Sequence, residues 1–196
     1  MYLSGKYTSN SEIGSLRTFN GWSRRDIPGV WAADNGCFNQ PDKYTNEGYL
    51  SWLSKLDPEN CLFATAPDVV GDAAATRARA YPILAKIREL GFRAAYVVQD
   101  GETPDQVRWD ELDAIFIGGS TEWKLGQEAA DLAAEAKKRG KWVHMGRVNS
   151  LKRMKYAKSI GCDSVDGTYL AFAPEKNEKR LQSWIREIEQ QPTLDI

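Results

Sequence analysis

Short apolar runs in this chain end, one after another, in a polar residue or a glycine pair, and this recurrence constrains the fold more than any other feature. Val30-Trp31-Ala32-Ala33 ends in Asp34, Leu62-Phe63-Ala64-Thr65-Ala66-Pro67 in Asp68, Ala94-Ala95-Tyr96-Val97-Val98 in Gln99, Ala114-Ile115-Phe116-Ile117 in Gly118-Gly119, and Cys162-Asp163-Ser164-Val165 in Asp166. Such runs alternate with longer segments of helical period, the pattern of βα units around a parallel sheet. Acids at the carboxyl ends of buried strands fit a catalytic rim better than a solvated face.

Strands are expected near 1–4, 30–34, 61–66, 93–98, 113–118, 141–146 and 162–166, and helices near 46–56, 72–90, 104–109, 124–139, 150–160 and 175–190. Thr103-Pro104-Asp105 reads as a helix start and Asn149-Ser150 as a cap, while Gly91, Gly140 and Gly161 stand where left-handed glycines stop helices. Pro82 predicts a kink or a late start in the 72–90 segment. Residues 5–29 have no clean period and read as a long loop over the carboxyl end of the sheet. The whole fits a compact TIM-like (β/α) barrel, a single domain over 1–196. A doubly wound sheet is the alternative, although no glycine-rich phosphate turn follows the first strand.

Cys37, Cys61 and Cys162 are far apart and form no CxxC, and His144 is the sole histidine. A disulfide framework, a structural zinc and a catalytic metal are therefore not expected, nor is any cofactor, and His144 is read as a strand-end residue packing beside the pocket. No run of apolar residues is long enough to span a bilayer and the first residues lack a secretory pattern, so a cytoplasmic protein without membrane contact is expected. The 26 basic and 27 acidic residues nearly cancel. Locally, Lys137, Lys138, Arg139, Lys141, Arg147, Lys152, Arg153, Lys155 and Lys158 crowd together, which reads either as solvated helix faces or as phosphate contacts.

Two acids on one rim suit chemistry at an anomeric carbon, one attacking and one managing protons. The residues around them suit guanine. Asp68 could accept from its N1–H and exocyclic amine, Gln99 and a Gly118-Gly119 N–H could donate to O6, and Phe38 and Met145 could sandwich the ring. Adenine would leave the buried carboxylate unpaired, at a cost of a few kcal/mol. A lone strand-end aspartate is also a common helix cap, a role open to Asp68 and Asp72.

The order of motifs resembles the tRNA-guanine transglycosylase family and its relatives that insert 7-deazaguanines into DNA, often encoded by phages. Asp34-Asn35-Gly36-Cys37-Phe38, Ala66-Pro67-Asp68, Val97-Val98-Gln99-Asp100-Gly101, Ile117-Gly118-Gly119, His144-Met145-Gly146 and Asp163-Ser164-Val165-Asp166 follow the family order across about residues 30–170. The resemblance implies a pentosyltransferase in which Asp166 is the nucleophile, Asp34 handles protons, and Phe38, Asp68, Gln99, Gly118, Gly119 and Met145 hold the base. Cys37 replaces a family glycine, Asp100 intrudes after Gln99, no Pro-Thr-Arg follows Asp166, and the C-terminal zinc-binding cysteines of the tRNA enzymes are absent. The last departure favours DNA over tRNA. The expected partners are thus DNA and a free 7-deazaguanine, with Arg24, Arg25, Arg147, Lys152, Arg153, Lys155 and the Lys179-Arg180 pair as candidate phosphate contacts. Exchange into tRNA, hydrolysis of a guanine nucleoside, and an inactive barrel that binds nucleic acid are the alternatives.

Overall fold

In the computed structural model, which describes residues 1–5, 12–21 and 29–190, parallel strands close into an eight-stranded barrel in sequence order. They are β1 (Tyr2–Ser4), β2 (Ile13–Thr18), β3 (Trp31–Asp34), β4 (Cys61–Thr65), β5 (Ala94–Val98), β6 (Ala114–Ile117), β7 (Trp142–Met145) and β8 (Ser164–Asp166). Closure is made where β1 pairs with β8, Tyr2 opposite Val165 and Leu3 opposite Asp166. The helices are α1 (Asn46–Leu53), α2 (Ala73–Glu89), α3 (Thr121–Lys124), α4 (Gln127–Lys138), α5 (Leu151–Ser159) and α6 (Pro174–Gln190). No described helix is long and apolar enough to cross a membrane.

The barrel matches the sequence expectation, with corrections. An eighth strand, β2, lies in the 5–29 segment expected to be loop. Its alternation is masked because Arg17 faces outward with its guanidinium 4.1 Å from the Trp31 ring centroid, while the inward Gly14 has no room for a side chain beside Leu3. The helix expected at 104–109 is only a 3-10 turn at Trp109–Glu111. The 124–139 helix is divided, because Gly126 takes an extended conformation between α3 and α4. The late start does not occur: Asp72 caps α2 by accepting from Ala75 N–H at 2.9 Å, and the helix runs through the exposed Pro82. Ser150 caps α5 as expected, and Gly91, Gly140 and Gly161 all have positive φ. Among the described residues no α-helix follows β1, β2 or β5, an economy that fits eight strands into a chain at the lower size limit of this fold.

Strand alternation sorts the side chains into two layers. Tyr2, Trp31, Tyr96, Ile115, Val143, Met145 and Val165 face outward and pack with the helices. Leu3, Ala32, Phe63, Ala95 and Ala114 fill the bore, with Leu16, Phe116 and Trp142 against them. Thr18, Asp34, Gln99, Gly118, Gly146 and Asp166 belong by the same alternation to the inward set, at or just past the carboxyl ends of their strands. One end of the barrel therefore collects the polar groups.

Candidate active site

A cleft of about 540 Å³ opens at this end, lined by Thr18, Asp34, Asn35, Phe38, Thr65, Asp68, Val97, Phe116, Gly118, Gly119, Arg147, Asn149, Arg153, Asp166 and Thr168 among others. The three strand-end aspartates thus share one space. Their environments differ. Burial first, and then the negative charges of Asp68 and Asp166, push the Asp34 carboxyl up to about 7, against hydrogen bonds from Gly36 N–H and the Thr18 hydroxyl. Thr18 stands opposite Asp34 in the β2–β3 register. Asp34 is therefore suited to give and take a proton near neutrality.

Asp68 is buried and amide-bound: Asn35 Nδ2 donates to Oδ1 at 3.0 Å and Gln99 Nε2 to Oδ2 at 2.7 Å. Burial raises its pKa, while Asn35, the Arg79 charge and Gln99 oppose that rise. Asn35 is a full crosslink between the ends of β3 and β4. Its N–H donates to Thr65 Oγ1 at 2.9 Å, its amide also to Ala66 O at 2.8 Å, and its Oδ1 accepts from Cys37 N–H at 2.7 Å. Gln99 Oε1 accepts from Gly119 N–H at 2.8 Å and Gly71 N–H at 3.0 Å, and Gly118 N–H goes to Val98 O at 3.0 Å. This corrects the expected polarity: the glycine N–H groups and one Gln99 N–H face protein acceptors, so they shape the Asp68 subsite instead of meeting a base carbonyl directly.

Asp166 sits on β8 with its side chain 13% exposed, and His144 Nε2 lies 3.0 Å from its Oδ1. His144 is wholly buried, between the rings of Phe63 and Phe116 at 5.0 and 4.6 Å. Burial lowers its pKa, against the hydrogen bond and charge of Asp166. The histidine lies under the pocket, in direct contact with the strand-end acid, a closer relation than the expected packing beside it.

Phe38 projects into the cleft, 53% exposed, with the Arg147 guanidinium 5.0 Å from its ring centroid. Met145 does not join it. Because His144 faces inward, its neighbour must face outward, and Met145 is buried in the helix-facing core. Of the two side chains expected to sandwich a ring, only Phe38 lines the cleft.

The basic run separates in space. Lys137 pairs with Asp163, Arg139 with Glu135 and Lys155 with Glu187, each at 2.6 Å, and Lys141 Nζ donates to Leu112 O at 2.8 Å. Lys155 is therefore an intramolecular partner of α6, not a cleft residue. Lys152 is exposed on the first turn of α5. Arg147 and Arg153 line the cleft and hydrogen-bond to the backbone carbonyls of Gly119 and Arg147. Arg147 also holds φ +61°, a backbone conformation uncommon outside glycine and asparagine. Arg24 and Arg25 lie outside the described residues.

Sequence reasoning missed Thr18, Asn35 and Lys124. Lys124 is buried, donates to Gly146 O at 2.8 Å, and is brought down to about 7 by burial first and by Arg147 next. Its signal was a lysine directly behind the Gly-Gly strand end, with Ser120 poised to cap. Among the described residues no group of three histidine, cysteine, aspartate or glutamate side chains is arranged to hold a metal ion.

No family model matches the chain, and no curated protein matches it. Tryptophan synthase from M. tuberculosis, in its aminoacrylate- and BRD0059-bound form, is similar in structure with a TM-score of 0.52 at 17% identity, over 82% of this chain and 60% of that one. Its open form with BRD0059 bound gives a TM-score of 0.50 at 18% identity, over 82% and 59%. A third similar structure, 3-hexulose-6-phosphate synthase from Salmonella typhimurium, has a TM-score of 0.47 at 16% identity, over 82% and 74%. The chain spans about three fifths of the first two. The shared feature is the barrel, and fold does not determine chemistry.

Proposed function

We propose that this barrel is a base-exchange pentosyltransferase that replaces guanine in DNA with a 7-deazaguanine through a covalent aspartyl-glycosyl intermediate. The observation that carries the reading is that Asp34, Asp68 and Asp166 line one cleft in three different environments. An Asp166 oxygen attacks C1′, the C1′–N9 bond breaks with its electron pair passing to the base, and the Asp34 carboxylic acid supplies the proton that guanine takes away. Asp34, now ionised, accepts the N9 proton of the incoming 7-deazaguanine. That base attacks C1′ and releases Asp166, and two inversions give net retention. Asp68 accepts from the base donors, and Phe38 supplies a stacking face. In duplex DNA the target nucleotide must first leave the stack.

A second reading keeps the chemistry and changes the substrate to tRNA or a free guanine nucleotide. The pairing of Lys137, Arg139 and Lys155 within the protein favours the free nucleotide, because the described cleft then offers few cations to the long backbone of either nucleic acid. The test is incubation of the protein with labelled guanine or 7-deazaguanine and either DNA, tRNA or GMP, followed by nucleoside analysis. Label in DNA is expected. Label in tRNA or GMP alone selects the second reading, and label in none of them rejects the exchange.

A further inference from the structure

Beneath the cleft a chain of buried polar groups leads to Asp166, and its other members have no part in the exchange chemistry above. Trp142 Nε1 lies 2.8 Å from Ser164 Oγ, Ser164 Oγ lies 2.8 Å from His144 Nδ1, and His144 Nε2 lies 3.0 Å from Asp166 Oδ1. The two ends fix its direction. An indole N–H can only donate, so Ser164 Oγ accepts there and directs its own hydrogen to Nδ1. A carboxylate can only accept, so Nε2 must carry the imidazole proton.

Sterics hold the chain in place. Phe63 and Phe116 enclose the imidazole, and a Cβ on Gly146 would stand 2.6 Å from the Phe116 ring and 3.3 Å from Asp166 Oδ1. The register places His144 opposite Ser164 on β8 and Phe116 on β6. Ser164 and His144 are both essentially inaccessible to solvent, so water does not compete for these bonds.

We infer that His144 is a positioning residue for Asp166: locked as the Nε2–H tautomer by Ser164 and Trp142, it ties down Oδ1 and leaves Oδ2 as the reacting oxygen. The assignment rests on Asp166 being the reacting carboxylate. It distinguishes the two oxygens of a group otherwise free to rotate, which restricts the line of attack on C1′. The lowered pKa of His144 agrees with a ring that stays neutral. The charged groups acting on that ring are Asp166 on β8, Lys124 on α3 and the Met1 amino group before β1, while the rings from β4 and β6 carry no charge.

The chain's single histidine makes the test direct. Protein prepared with isotope-labelled histidine has one imidazole, and the NMR shifts of its two ring nitrogens report the tautomer without any need for activity. Nε2 protonated and Nδ1 unprotonated through neutral pH is the expected result, with a shifted Nδ1 resonance in Ser164→Ala as that nitrogen loses its hydrogen-bond donor. A ring protonated at Nδ1, or one titrating near the free value of about 6.5, overturns the inference. In the exchange assay, His144→Leu should lower kcat on the order of ten- to a hundredfold with KM for nucleic acid unchanged, and His144→Gln, which keeps a donor at that reach, should recover part of it. Equal kcat in wild type, Gln and Leu variants also overturns it. If His144→Leu does not fold, Ser164→Ala carries the kinetic arm, and unchanged kcat there counts against the lock. Should the wild type exchange no base at all, the NMR arm still decides the tautomer and only the proposed reaction falls.

Discussion

Gln99 Nε2 stands 2.7 Å from Asp68 Oδ2, and the other end of the same amide receives Gly119 N–H. One side chain thus ties Asp68 to the end of β6. A Cβ at Gly118 would meet Gln99 Nε2 and Val97 Cγ1, each at 2.8 Å. Gly118→Ala should displace the amide and raise KM for the free base about tenfold, equivalent to about 1.4 kcal/mol, with a smaller effect on kcat. Steady-state kinetics over a range of free base would check this.

Asp34 gives a pH dependence of definite sign. Its folded pKa, about 7, is above the ordinary aspartate value of 3.8, so between these values the folded state binds more protons than the unfolded one. The stabilisation associated with the neutral acid is full below the unfolded pKa and is lost as pH rises through about 7. Asp34→Asn should remove this contribution, so its Tm should fall less than that of wild type from mildly acidic to mildly alkaline buffer. The same substitution should slow base exchange strongly and remove the limb near 7 from its pH profile. Parallel Tm curves for the two proteins would contradict the assignment.

Asp166→Asn preserves shape but removes the carboxylate proposed to attack C1′. Base exchange should fall by at least about a thousandfold, with circular dichroism and Tm near those of wild type. Denaturing gels after incubation with DNA should show a covalent adduct in wild type that is absent from the variant. An adduct that persists would transfer the nucleophile to another residue, Asp34 first.

The two kinds of basic residue should behave differently in a salt titration. Arg153→Gln should weaken DNA binding across sequences and lower the log–log salt slope by about 0.9 for each phosphate that is no longer neutralised. Lys155→Gln removes an ion pair with Glu187, both partners being partly exposed, and should change stability by less than about 1 kcal/mol without altering the slope. Equal effects on the slope would restore the broad basic patch expected from sequence.

Outside the site, Glu102 is wholly buried between Arg77, 2.7 Å away, and the Tyr96 hydroxyl. Glu102→Ala leaves the phenol unpaired and breaks the ion pair, so urea unfolding should show a drop in stability of about 3 kcal/mol.

The inward acids were legible because a parallel strand buried on both faces reads as an apolar run, and a charged residue interrupts it at the rim. β2 was not legible, because Arg17 covers Trp31 where an apolar side chain would ordinarily stand. Nor was the position of Met145: the motif His144-Met145-Gly146 names three neighbours, but alternation allows only the first and third to face the bore. The dispersal of the basic run has a similar origin, since positions adjacent in sequence occur on a helix end, a strand start and a cleft loop. Lys124 and Asn35 were hidden by reach, as their partners at Gly146 and Asp68 are remote in sequence.

The alanines of the bore set how deep the cleft goes. Ala32, Ala95 and Ala114 leave the interior layer to Phe63 and Phe116, whose rings support His144 and, through it, Asp166. Enlarging Ala95 or Ala114 would drive those rings upward and raise the floor against whatever ring rests on it. Ligand size could therefore be retuned from below, by residues that never touch the ligand.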